Sequence, residues 1–221
     1  VTRVGLVVVS HSAQLAAGVV EVAAQMAPNV TVVAAGGTDD GGIGTDFDAV
    51  VSAIERADGG AGTVVLYDLG SARMVAEMAV ETAENARLAD APLVEGAVAA
   101  AVAAEGEADV SAVAAAAESA AKVTTEAAPT APDAEDEVRI TLTNKIGLHA
   151  RPAAVVARAM TGLDATVTVH FGAATADGRS VLALMALGAQ GGDEIRVSAA
   201  GPQAAEALHT FEELAASNFG E

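Results

Sequence analysis

Two histidines, His11 and His149, stand in settings suited to phosphoryl chemistry. His11 follows an apolar run at residues 4–9, with only Ser10 between, and lies where a helical pattern begins. His149 sits in NKIGLHARPAA (residues 144–154), which leaves a strand pattern, turns at Gly147 and enters a helix near Ala150. The start of a helix offers free backbone N–H groups and the positive end of the dipole, which favour phosphate. Pro152 suits a first helical turn because no N–H is needed there. Arg151, two residues after His149, supplies a planar cation that can clamp phosphate oxygens. An imidazole neutral near pH 7 can attack phosphorus through one nitrogen while a hydrogen bond orients the other. Transfer then needs chiefly in-line positioning and charge stabilisation. Position alone fits a capping or surface histidine as well. His170 and His209 lack such surroundings and read as ordinary strand and helix residues.

Three further segments cluster where a site around His11 should form. GGTDDGGIGTD (residues 36–46) links the second strand to the second helix, and its glycines allow close backbone approach to a phosphate or a partner. It lacks the Walker lysine and is no nucleotide-binding P-loop. YDLGSARM (residues 67–74) puts Asp68 at the end of the third strand, where it can accept the ring N–H of His11, with Ser71 expected as a helix cap. APLVEGAV (residues 91–98) reads as a fourth strand end and another helix start. No histidines pair at metal-ligand spacing, so a metal is not expected.

The elements that must position these residues fall into two groups. Residues 1–122 alternate strand and helix signals: strands at 4–9, 30–34 and 64–67, and helices at 12–26, 46–57 and 71–87. A short strand near Leu93 and two alanine-rich helices broken near Gly106 follow. That alternation predicts an α/β fold with an open, mainly parallel sheet and helices on both faces, and a site at the carboxyl ends of the strands. Residues 137–221 read as strands at 138–142, 166–171, 173–176 and 194–198, with helices at 151–160, 180–187 and 203–216. Helices on one side of a small antiparallel sheet, an α+β sandwich, are expected. Between them, residues 123–136 (VTTEAAPTAPDAED) carry four acids, no base and two prolines. With almost no large apolar residue, this stretch reads as a flexible linker. As a coil its ends would lie roughly 20 Å apart, so it would keep the second domain near the first at about millimolar effective concentration, favouring transfer within one molecule or dimer.

Composition removes several function classes. The net charge of −19 with eleven Lys and Arg argues against nucleic acid or anionic membranes as partners, since phosphates would be repelled. One Tyr, four Phe and no Trp leave no stacking platform for single strands. The absence of cysteine excludes disulfides, thiolate nucleophiles and sulfur-ligated zinc. The uncharged run between Glu95 and Glu105 is well short of the ~20 residues that span a bilayer, and residues 4–9 are too short for a signal sequence. A soluble, cytoplasmic protein is expected. Residues 1–122 have 17 acids and 5 bases, whereas residues 137–221 have 9 acids and 6 bases. With Arg151 and Arg158 near the donor face, docking of the second domain on the first has the favourable sign.

NKIGLHARPAAVVARAM, followed by ADGRSVLALMALGAQGGDEIRV, resembles HPr, the histidine phosphocarrier of the bacterial phosphoenolpyruvate-dependent phosphotransferase system, across essentially all of residues 137–221. VVVSHSAQLAAGV, GGTDDGGIGTD, YDLGSARM and APLVEGA together resemble the EIIA-mannose-like domain of the DhaM family, the phosphoryl-donor subunits of phosphotransferase-dependent dihydroxyacetone kinases, across residues 1 to about 122. The resemblance implies a phosphotransferase subunit in which phosphate passes from phosphoenolpyruvate through Enzyme I to His149 and then to His11. From there it would pass to ADP held by a separate DhaL subunit and on to dihydroxyacetone bound by DhaK. It further implies phosphorylation at Nδ1 of His149, aided by Arg151, and at Nε2 of His11, with Asp68 bonded to the other nitrogen. No cofactor is implied for this chain itself, since the ADP/ATP acts on DhaL. A homodimer through the first domain is implied, and Ser180 aligns with the serine that a regulatory kinase modifies in some HPr proteins. No Enzyme I-like segment follows within the 221 residues, so a separate Enzyme I is expected. The competing readings are a mannose-class sugar-transport component of the same fold, a regulatory module whose phosphorylation state is sensed, and a phosphatase with a histidine nucleophile.

Overall fold

A computed structural model describes residues 2–122 and 136–220. The chain divides into two compact units, Val1–Lys122 and Val123–Glu221. The expected linker lies outside the described residues, apart from Asp136, which already opens a strand.

The first unit runs β1 (Gly5–Ser10), α1 (Ala13–Met26), β2 (Val32–Gly36), α2 (Phe47–Ala57), β3 (Thr63–Tyr67), α3 (Gly70–Val80), β4 (Ala86–Leu88), α4 (Leu93–Glu105) and α5 (Val110–Ser119). The strands form one parallel sheet in the order β2-β1-β3-β4. All six residues of β1 are buried, as a central strand covered on both faces requires. Leu6 and Val8 pack with Ala16, Val19 and Ala23 of α1 and with the alanines of α4 and α5. Val7 and Val9 point the other way, to Val50, Ala53 and Ile54 of α2 and Ala72, Ala76 and Ala79 of α3. The short alanine side chains let the helices lie close to the sheet, which accounts for a core almost without aromatic rings. Helix starts carry their own signals: Asp46 accepts from Ala49 N at 2.8 Å and Asp109 from Ala112 N at 2.8 Å.

Three expectations for this unit are corrected. The third helix ends at Val80 and not at residue 87, because Glu81–Asn85 turn back and deliver Ala86–Leu88 alongside Thr63–Val65. The fourth strand is therefore β4, and Leu93 opens α4 with Pro92 at its N-cap. The second strand begins two residues later than expected, at Val32, since Val30 N bonds back to Ala27 O in the preceding turn.

The second unit runs β5 (Asp136–Thr141), α6 (Ala150–Thr161), β6 (Thr166–Phe171), β7 (Ala174–Asp177), α7 (Val181–Ala186), β8 (Glu194–Ala200) and α8 (Ala204–Ala216). Its sheet is antiparallel with the order β5-β8-β6-β7. Ile140, Val167, Val169, Ile195 and Val197 are buried on one face. The alternate residues Glu137, Arg139, Arg196 and His170 lie on the other, in the period-2 pattern of a half-covered sheet. Among the described residues, no helix is long and apolar enough to cross a membrane.

Candidate functional site

In the first unit β1 and β3 are neighbours, and their carboxyl ends bring residues 57 to 60 positions apart into one cluster. Asp68, just past β3, points its carboxylate at the end of β1. Its Oδ1 lies 2.9 Å from Nδ1 of His11 and accepts the Leu69 N–H at 2.7 Å. Its Oδ2 accepts the Ser10 hydroxyl at 2.9 Å and the His11 backbone N–H at 2.9 Å. Burial raises the pKa of Asp68, but the bonds from the His11 amide and ring, Ser10 and Leu69 outweigh it and hold the carboxyl below its ordinary value.

An ionised Asp68 has only acceptors to offer, so in the neutral ring Nδ1 of His11 carries the proton and Nε2 keeps its lone pair. Nε2 lies 2.7 Å from the Ser71 hydroxyl, from which that tautomer accepts a hydrogen bond. The backbone around the ring is tied down as well: Gly44 N donates to His11 O at 2.9 Å and Gly37 N to Ser10 O at 3.2 Å. The glycine-rich segment is thus fastened to the strand end that bears His11. A Cβ at Gly36 would lie 2.8 Å from Ser12 O, which explains a glycine where that segment leaves β2. Two helix starts meet here, α1 with Ser12 as N-cap and α3 with Leu69 as N-cap.

Ser71 corrects an expectation. It is not the cap of α3 but stands inside the first turn, and its side chain bonds the ring of His11. Ser10 was missed altogether. The signal was present: a hydroxyl at the end of a wholly buried apolar strand needs a partner.

In the second unit His149 is the N-cap of α6, in extended backbone geometry, and its carbonyl accepts from Ala153 N at 3.0 Å. Its own N–H bonds Gly147 O at 2.9 Å, and Asn144 Nδ2 donates to the same oxygen at 2.8 Å. Gly147 has φ +83, and a Cβ there would lie 2.2 Å from Ala189 O. Leu148 N reaches that same Ala189 O at 3.0 Å, so the turn before His149 rests on the loop before β8. Nε2 of His149 has essentially no solvent-accessible surface, although the residue as a whole is only half-buried. Arg151 is exposed in the first turn of the same helix. Arg158 belongs to the last turn of α6, about 12 Å along the axis from its start.

Ser180 caps α7, its Oγ accepting from Ala183 N at 3.2 Å. His170 bonds Ser198 Oγ at 2.9 Å on the open face of the sheet, and His209 lies beside Glu213 on the exposed side of α8. Neither joins the clusters around His11 and His149. Among the described residues no group of His, Cys, Asp or Glu is arranged to hold a metal ion.

The class of protein follows from two matches that divide the chain as the structure does. Residues 5–114 match the EIIA-man model, described as the PTS system fructose IIA component, and residues 137–217 match the PTS HPr component phosphorylation site. The chain belongs to the DhaM family. It is 35% identical to the PEP-dependent dihydroxyacetone kinase phosphoryl donor subunit DhaM of Escherichia coli strain K12, over 99% of this chain and 51% of that protein. Against the DhaM subunit of dihydroxyacetone kinase 1 from Listeria innocua it is 45% identical over 44% of this chain and 78% of the relative. The phosphocarrier protein NPr of Escherichia coli is 42% identical over 37% of this chain and 92% of its own length. The chain spans about half the length of the curated relatives that it matches from end to end.

Proposed function

We propose that this chain is a phosphohistidine relay subunit of a phosphotransferase-dependent dihydroxyacetone kinase. Phosphate passes from phosphoenolpyruvate by way of Enzyme I to Nδ1 of His149, then to Nε2 of His11. From there it goes to ADP on a DhaL subunit, and dihydroxyacetone bound by DhaK is the final acceptor. The observation that carries this reading is the clamp on His11, whose Nδ1 is held by Asp68 at 2.9 Å while Nε2 is left with its lone pair.

In the transfer step, the Nε2 lone pair of His11 forms a new P–N bond as the bond from phosphorus to Nδ1 of His149 breaks. The electron pair of the broken bond stays with the His149 ring. The phosphoryl group carries its charge across unchanged. The proton on Nδ1 of His11 remains in the bond to Asp68, which compensates the positive charge that the ring acquires. Amides at the starts of α1 and α3 supply donors for the arriving oxygens. On the donor side, covered Nε2 of His149 supports Nδ1 as the phosphorylated atom, and Arg151 stands ready to neutralise phosphoryl oxygens. Ser180 is proposed as a regulatory position through the HPr likeness. A homodimer through the first unit is proposed on the same family grounds.

Incubation of the full chain with Enzyme I and labelled phosphoenolpyruvate, followed by phosphate mapping, tests the relay. Label is expected on both histidines in the wild type, on His149 alone in His11→Ala, and on neither in His149→Ala. Label on His11 in the absence of His149 removes the proposed order of transfer.

A further inference from the structure

We propose that Ser10 is a positioning residue that sets how readily His11 gives its phosphoryl group away, acting through Asp68. This deepens the relay reading and rests on it. Ser10 is fully buried at the end of β1, and the sense of its hydroxyl is fixed from both sides. Its Oγ accepts the Ser12 N–H at 3.0 Å, so its proton goes to Asp68 Oδ2 at 2.9 Å.

Asp68 thereby meets four donors, two on each oxygen: Ser10 and the His11 amide on Oδ2, Leu69 and the His11 ring on Oδ1. A carboxylate has about four lone-pair positions, so this one is saturated. Each donor withdraws charge and makes the group a weaker base toward the others. Two of the four are backbone amides locked by the fold, and one is the reacting ring. Ser10 is the remaining donor, the one whose side chain can vary without touching the reacting ring.

The consequence concerns the charge on the imidazole. When Nε2 bonds phosphorus while Nδ1 keeps its proton, the ring becomes cationic. When the phosphoryl group leaves, the P–N electron pair returns to Nε2 and the ring is neutral again. A more basic Asp68 would favour the cationic, phosphorylated state and slow its discharge. By sharing the carboxylate, Ser10 keeps phosphorylated His11 energetic enough to pass its group on. A purely structural serine would act in the opposite direction, since loosening Asp68 would weaken its bond to the ring and disfavour the phosphorylated state.

The test uses the full chain with Enzyme I and a limiting amount of labelled phosphoenolpyruvate, reading the equilibrium ratio of phospho-His11 to phospho-His149. Ser10→Ala is expected to raise that ratio roughly threefold to tenfold, the range for losing one hydrogen bond to a charged group with partial compensation from the other three. Ser10→Cys fills the same space with a weaker donor and should move the ratio less, in the same direction. Ser10→Thr restores the hydroxyl and returns the ratio to that of the wild type. In the unphosphorylated protein, the His11 Nδ1–H proton resonance should move downfield in Ser10→Ala as its bond to Asp68 strengthens. A ratio in Ser10→Ala at or below the wild-type value, an upfield resonance, or a Ser10→Thr protein that behaves like Ser10→Ala overturns the proposal. The two failures are separable. A wild-type chain that never phosphorylates His11 removes the relay, while the resonance still decides the action of Ser10 on Asp68.

Discussion

Replacing Asp68 by asparagine changes one atom and sets two hydrogen-bond patterns against each other. The carboxylate now accepts four bonds at 2.7 to 2.9 Å, two per oxygen. An amide has only one oxygen. If that oxygen takes the Oδ1 place, it still serves the His11 ring and Leu69, but its NH2 then faces the His11 backbone N–H, donor against donor. If the amide is reversed, its NH2 faces Nδ1 of His11, which must give up its proton. The proton then moves to Nε2 and removes the lone pair that attacks phosphorus. Either arrangement loses a hydrogen bond to a charged acceptor, worth about 1.5–3 kcal/mol. The side chains of Asp68 and His11 are only 11% and 20% exposed, so solvent replaces little of that loss. At 1.36 kcal/mol per factor of ten, acceptance at His11 should slow by about 10- to 150-fold. Rapid-quench measurement on chains already phosphorylated at His149 reads this step alone, and loading of His149 should be unchanged. A transfer rate within twofold of the wild type would refute the role assigned to the carboxylate.

Other outcomes follow from the same geometry. A phosphoryl group on Nε2 would place its oxygens where the Ser71 hydroxyl now lies, 2.7 Å away, so that hydroxyl must swing to donate to one of them. Ser71→Ala should therefore lower the equilibrium share of phospho-His11 by about tenfold, the opposite sign to Ser10→Ala, and phosphate mapping reads both. In the second unit, burial and the nearby Arg196 guanidinium hold His170 below its ordinary value of 6.5, against the weaker opposing pull of Glu137. The fold thus favours the neutral ring, and the stability it contributes is present above pH 6.5 and lost as pH falls from there through the folded value. Thermal melting from pH 8 to pH 5 should show the wild type losing stability more steeply than His170→Gln, and parallel curves would remove His170 as the cause.

Much of this architecture was legible because it is local. An unbroken apolar run such as residues 6–9 reads as a strand covered on both faces. The helix at residues 12–26 was legible too, but its buried stripe was not: the small Ala16 and Ala23 face the sheet with Val19, while the larger Leu15 and Val22 stay exposed. His11 and His149 could be placed at helix starts because the glycine, serine and proline signals around them act over three or four residues. The short element near residue 90 was misplaced because Ala86–Leu88 has no alternation long enough to register. Its strand character comes from pairing with β3, a partner more than twenty residues away.

Residue types alone determined which chemistry was open to this protein: imidazoles without thiols, an acidic surface, and two units with different periodicities. The tertiary structure decided what each imidazole can do. It did so by setting β1 beside β3, which carries a carboxylate across 57 residues of chain to one ring nitrogen and a serine across 60 to the other. It did so again by covering Nε2 of His149. Hydrogen bonds act over about 3 Å, and only folding brings distant parts of a chain within that reach.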